Sequence, residues 1–316
     1  MTLQHHYQRH SHQSGLTLIE LMISVTLGLM LISAVMGILL SSNQNFAQDD
    51  QLARMQENGR FIMHRLDEEA TMAGYWGGAT YVGAVDKTGV VFPTKCGVSL
   101  DPAIPATSII VDTNPATFGG CILNHKAGTP IYVVKRARGT PETTQVAGEP
   151  YIIGNNYDAR LRYYNSGDAI TAPAAGEEAR KYQVNMYYIR DRNAENKLIP
   201  TLYIRRLEIV GGAPELVEYE AAEGIENIEI DFGIDINKDG VADYFNSRPA
   251  AAELQTAVGA RIYILARATQ EDINHKDEKI YTLGNTQVNG NADKFRRRLF
   301  TKSVVMRNTA YMLQLN

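Results

Sequence analysis

The chain has 316 residues, 44% hydrophobic and 21% charged, an ordinary globular balance that lets most of its length bury a core. A formal net charge of −4 excludes the broad basic excess by which nucleic-acid binders neutralise phosphates, so no nucleic-acid partner is expected. The run Arg296-Arg297-Arg298 is the local exception; it reads as a solvated strand edge, where charge blocks edge-to-edge aggregation.

The first 15 residues are polar, with one Arg, no acid and four of the seven histidines. Lacking Cys and acidic ligands, they are not read as a metal site. From Leu16 to Leu40 the chain is apolar apart from Glu20 and a few small hydroxyl residues. As a helix this tract would be about 37 Å long, enough to cross a bilayer. An ordinary secretory signal is shorter and is cleaved after its apolar run; here Gly15 stands before it. Arg9 on the leading side orients the N-terminus to the cytoplasm, so the chain after Leu40 faces the periplasm or the outside. Glu20 is a carboxylate just inside the membrane helix, a costly placement that calls for a partner or a task.

Beyond Ser41 the chain turns polar but keeps helical periodicity. Leu52, Met55, Gly59, Ile62 and Leu66 recur three or four residues apart and define one apolar stripe, while Arg54, Glu57, Arg65 and Glu68 occupy the other faces. Gly74 is a plausible C-terminal cap. The pattern predicts one helix from Leu16 to Ala73, with Gly37 and Gly59 as weak points costing about 1 kcal/mol each relative to Ala. Tyr75 and Trp76 are expected to pack the helix end onto a sheet, their polar tips seeking partners.

The remainder is β-rich. Strands are predicted at Ser108–Asp112, Ile131–Lys135, Leu161–Tyr164, Tyr182–Arg190, Leu202–Leu207, Ile225–Phe232, Ala260–Ala266 and Leu299–Met306, from β-branched and aromatic content bounded by turn residues. In the sixth, Ile228, Ile230 and Phe232 alternate with Glu229 and Asp231, as in a half-buried antiparallel strand. Segments 140–150 and 165–178 read as surface loops. The expected fold class is α+β: a long N-terminal helix, half in the membrane and half amphipathic, packed on an antiparallel β-sheet domain.

Two features could carry chemistry. Cys96 and Cys121 fall 25 positions apart in the part expected outside the cytoplasm, where a disulfide would contribute about 3 kcal/mol by chain entropy; free thiols are the alternative. In Asp235-Ile236-Asn237-Lys238-Asp239-Gly240-Val241-Ala242-Asp243, oxygen-bearing side chains alternate before a glycine, like the start of a calcium loop. The twelfth position is Asn246 instead of a bidentate acid, so Asp235, Asn237, Asp239 and Asp243 form at most a shortened calcium site; the alternative is an Asp/Asn/Gly turn. No cofactor is required. No phosphate loop, dinucleotide fingerprint, zinc-protease motif or nucleophile elbow is present, so no enzyme is expected.

Gly15-Leu16-Thr17-Leu18-Ile19-Glu20-Leu21-Met22 resembles the prepilin peptidase site of type IV pilins and pseudopilins, with Leu16 where that group usually has Phe. The resemblance implies cleavage between Gly15 and Leu16, N-methylation of the new terminus, and pairing of Glu20 with a neighbouring subunit's terminal ammonium. Residues 54–61, 72–77, 223–228 and 298–308 resemble the minor pilin family PilW. This implies a 1–15 leader, a 16–40 transmembrane and assembly helix, a 41–74 amphipathic half and a 75–316 globular domain. The implied life history starts in the bacterial inner membrane as a single-pass protein and ends in the periplasm and the extracellular pilus. Implied partners are other minor pilins, the major pilin, the prepilin peptidase, the inner-membrane assembly platform and a tip adhesin. Its implied role is to prime and cap assembly at the filament tip; the alternatives are a minor pseudopilin of type II secretion and a calcium-responsive adhesin module at the tip.

Overall fold

The computed structural model describes residues 15, 17–77, 85–86, 93–100, 108–146, 148–155, 159–163 and 172–308. Helix α1 runs Leu18–Met72, close to the bounds its periodicity predicts; Leu16 lies outside the described residues. The chain forms two units, Met1–Asp50 and Gln51–Asn316. In the first, α1 presents its apolar side chains to the exterior: an 18-residue window has mean hydropathy 2.4 and is 0% buried. That is the surface a helix offers to lipid.

In the second unit α1 buries Met55, Gly59, Ile62, Met63, Leu66, Glu69 and Ala70. The predicted stripe is therefore present, extended by one turn and carrying a carboxylate within it. The helix ends where Gly74 adopts a φ of +72°, a left-handed conformation that costs glycine little. Asn308 Nδ2 donates to the Thr71 carbonyl at 3.0 Å, satisfying one of the acceptors every helix C-terminus leaves open.

Around this helix stand strands β1 (Val85–Asp86), β2 (Thr94–Lys95), β3 (Val98–Ser99), β4 (Ile109–Asp112), β5 (Ile131–Ala137), β6 (Pro150–Gly154), β7 (Ala159–Tyr163) and β8 (Glu178–Arg190). They are followed by β9 (Thr201–Val210), β10 (Ala213–Glu223), β11 (Ile225–Ile234), β12 (Tyr244–Asn246), β13 (Ala257–Arg267), β14 (Ile280–Leu283), β15 (Thr286–Asn289) and β16 (Arg297–Val305). The larger sheet runs β1-β7-β6-β8-β5-β4, with β9 joined to β8 and β10 to β9; the smaller runs β12-β11-β13-β16. Pairing is antiparallel except for the short β1–β7 contact. All eight predicted strands are present. β10 escapes the pattern because Glu215, Glu218, Glu220 and Glu223 depress its β-propensity.

Side chains of the larger sheet alternate between two cores. Tyr132, Val134, Tyr187, Ile189, Leu202 and Ile204 enter the first, shared with α1 and the smaller sheet. Ile131, Val133, Val184, Met186, Tyr188 and Tyr203 enter the second, with Trp76, Val98, Leu100 and Phe118. Trp76 is 1% exposed, its ring centroid 6.0 Å from that of Tyr182, so the helix exit packs onto the sheet as expected. Its indole nitrogen has no hydrogen-bond partner among the described residues.

Two expectations are corrected. β11 is not half-buried: every residue in it is buried. Its apolar face looks into the first core, and its acidic face lies under the β14–β15 hairpin. There Thr286 Oγ1 donates to Glu229 Oε2 at 2.9 Å, and a Cβ on Gly284 would fall 2.2 Å from Asp231 Oδ2. The arginine run is not a uniformly solvated edge either. β16 is an edge strand, but the Arg297 side chain is 2% exposed and pairs with Glu226, Asp277 and Asp293. A three-carboxylate cage supplies the partners a buried guanidinium needs.

Candidate functional site: the helix start and its supporting clusters

Thr17 and Glu20 fix where α1 begins. The Thr17 N–H and hydroxyl both donate to Glu20 Oε2 at 2.9 Å, and the Glu20 N–H donates back to Thr17 Oγ1 at 3.3 Å. This is a reciprocal capping box, in which residues three apart satisfy each other's orphan donors. Gly15 is exposed and outside the helix. The carboxylate that the sequence singles out is thus held at the first turn, beside the position-17 backbone. Thr17 is the residue that caps the helix start, and its Thr-x-x-Glu spacing is the sequence signal for it.

The two cysteines are joined: Cys96 and Cys121 form a disulfide with a Cα–Cα distance of 5.4 Å. It lies against the second core.

At residues 235–243 the carboxylates serve their own loop. Asp235 is fully buried and accepts from the N–H groups of Lys238 (2.6 Å), Asp239 (3.3 Å) and Gly240 (2.8 Å). Asp239 Oδ1 accepts from Val241 N at 2.8 Å, and Asp243 Oδ2 from Ile236 N at 2.7 Å. Asn237 exchanges hydrogen bonds with Asp239. Among the described residues no three His, Cys, Asp or Glu side chains gather to hold a metal ion.

A polar cluster unforeseen in the sequence seats α1 in the first core. Glu69 is 1% exposed and accepts Arg136 Nε at 2.9 Å, Asn185 Nδ2 at 2.9 Å and the Tyr187 hydroxyl at 2.9 Å. Arg136 also donates to Glu68 at 3.0 Å, and Arg65 Nε donates to the Tyr187 oxygen at 3.1 Å. Burial, and then the neighbouring Glu69 carboxylate, push the Tyr187 phenol far above its ordinary range, so it acts as a neutral donor.

The helix start and the domain each match a known pattern. Residues 10–36 match the prokaryotic N-terminal methylation motif. Residues 186–308, from the end of β8 through β16, match the family described as type IV pilus-assembly protein W. No curated protein and no solved structure matches the chain. With a methylation motif over its apolar helix and the assembly-protein match over β9, β10 and the smaller sheet, the chain matches a PilW-type minor pilin of type IV pili.

Proposed function

We propose that this chain is a non-enzymatic minor pilin that helps prime type IV pilus assembly and is incorporated at or near the filament tip. The observation that carries the reading is the joint match of the methylation motif at residues 10–36 and the assembly-protein family at 186–308. The precursor would insert once in the inner membrane, N-terminus in the cytoplasm, and a prepilin peptidase would cut between Gly15 and Leu16. Methylation of the new terminus would follow. Glu20 would then exchange its capping contact with Thr17 for the terminal ammonium of a neighbouring subunit, a pair strengthened by the low dielectric of the membrane. Apolar packing along residues 16–40 would supply the rest of the contact with other minor pilins, the major pilin and the assembly platform.

Deletion of the gene, followed by imaging of surface pili, a twitching assay and a protein-secretion assay, tests the reading. Lost pili and twitching with intact secretion support it; lost secretion with intact pili would move the chain to the type II secretion pseudopilins. A Glu20→Ala variant that assembles pili at the wild-type level would remove the charge-pair role. The calcium-responsive adhesin reading is carried only by the side-chain pattern at Asp235, Asn237, Asp239 and Asp243. Calorimetric titration decides it: no heat at millimolar calcium removes it.

A further inference from the structure

The second core is closed by chain that has little regular structure of its own. Val98, Leu100, Phe118 and Ile122 are each at most 6% exposed and cover Ile131, Val133, Val184 and Met186 of the larger sheet. The covering stretches, 93–100 and 115–123, contain only the two-residue strands β2 and β3 and the single turn of 3-10 helix Pro115–Phe118. They are separated in sequence by β4, which is held independently by its ladder to β5. The two stretches meet closely, since a Cβ on Gly97 would lie 2.1 Å from the Thr117 carbonyl oxygen. The Cys96–Cys121 bond ties one to the other. Their further tethers include the Lys95–Glu215 ion pair and the bond from Arg205 to the Cys121 carbonyl. The first core is built otherwise: the α1 stripe, both sheets and the Glu69 cluster hold it, and neither cysteine enters it.

We propose that the Cys96–Cys121 disulfide is a redox latch on the second core. Closed, it seals the cover; open, stretches 93–100 and 115–123 lift from the sheet while the first core and the seat of α1 stay folded. Closing converts two thiols to one disulfide. Two electrons and two protons pass to an exogenous disulfide, whose S–S bond breaks to give a dithiol. The subunit then completes its fold only in an oxidising compartment. That consequence rests on the membrane topology proposed above, whereas the latch itself does not, so the two can fail separately.

The test uses the full chain in detergent micelles, with its single tryptophan, Trp76, as reporter from inside the second core. Reduction and alkylation of both thiols should shift Trp76 emission to the red and raise its acrylamide quenching severalfold. New protease cuts should appear between residues 93 and 123, and hydrogen exchange of residues 62–70 should be unchanged. Cys96→Ser/Cys121→Ser should reproduce the reduced state without reagent. Unchanged Trp76 emission and an unchanged protease pattern, with both thiols alkylated, would overturn the latch. So would simultaneous loss of exchange protection at 62–70, or global unfolding of the double variant, because either would make the two cores one cooperative unit.

Discussion

Glu69 and Arg136 form an ion pair shut off from solvent: Arg136 Nε donates to Glu69 Oε2 at 2.9 Å, and the two side chains are 1% and 4% exposed. Such a pair adds little net stability over an apolar replacement, yet removing one member is costly because the other is left buried and uncompensated. Asn185 and Tyr187 converge on the same carboxylate, so turning or sliding this part of α1 would orphan several donors together. Glu69→Ala should therefore lose about 3 kcal/mol, read from the denaturation midpoint of the full chain in micelles. Glu69→Leu combined with Arg136→Met should recover the part of that loss due to the uncompensated guanidinium, the rest remaining because Asn185 and Tyr187 lose the same acceptor. A Glu69→Ala midpoint equal to wild type would show that the cluster does not seat the helix.

Gly59 is a weak helix former at a buried position, and the structure shows why alanine would not improve it. A Cβ there would lie 2.3 Å from Phe300 Cε2 and 2.7 Å from Cζ. Alanine gains about 1 kcal/mol of helix propensity, but forcing atoms into a filled core costs roughly 1–3 kcal/mol. Gly59→Ala should lower the melting temperature, and Phe300→Leu on that background should restore part of it. A rise in melting temperature on Gly59→Ala alone would show that the ring moves aside freely.

The elements the sequence reveals are those in which one periodicity dominates. α1 is legible because an apolar tract is followed by a stripe at three- and four-residue spacing, and β5, β8 and β13 because β-branched and aromatic residues run together between turn signals. What is hidden depends on partners distant in the chain. The alternation of Glu229 and Asp231 in β11 says that one face is polar, but not that residues 280–289 fold over it. Arg297 cannot be told from its exposed neighbours until Glu226, Asp277 and Asp293 are seen around it. At the helix start, Gly15 and Glu20 carry the sequence signal, whereas the capping contact of Thr17 shows only once its bonds to Glu20 are seen.

Asp235 tests whether the 235–243 loop needs its own acid to hold its shape. Three backbone N–H groups end on this one buried carboxylate, and Lys238 adopts a φ of +62° within the same turn. Asp235→Ala leaves the Lys238 and Gly240 N–H groups without their acceptor, while the Asp239 N–H keeps Asn237 Oδ1 at 3.0 Å; the loss is about 1–3 kcal/mol. It should appear as a lowered melting temperature in a chelator-containing buffer. The same melt repeated with millimolar calcium separates turn from ion site: a saturable stabilisation that Asp235→Ala abolishes would add an ion to the loop. A variant melting like wild type in chelator would mean that the turn forms without Asp235.

Asp231 gives the domain a pH signature of its own. The residue is 5% exposed, its Oδ1 has no hydrogen-bond partner among the described residues, and its carboxylate fills the space a Cβ on Gly284 would need. Burial first, then the like charge of Glu229 on the same strand, raise its pKa above the ordinary 3.8; Arg261 on β13 and Arg248 after β12 pull the other way without prevailing. A carboxyl with a raised folded-state pKa binds its proton more tightly folded than unfolded. Its penalty is therefore full above the folded pKa and is relieved as pH falls through that value toward the ordinary one. Other acids, such as Asp293 and Glu177, are shifted downward and lose stabilisation on acidification, so the informative quantity is a difference between proteins. Asp231→Asn should be more stable than wild type at neutral pH, and the advantage should shrink as pH is lowered toward 4. Denaturation midpoints of the two proteins across that range measure it. A difference independent of pH would mean that Asp231 titrates alike in the folded and unfolded chain.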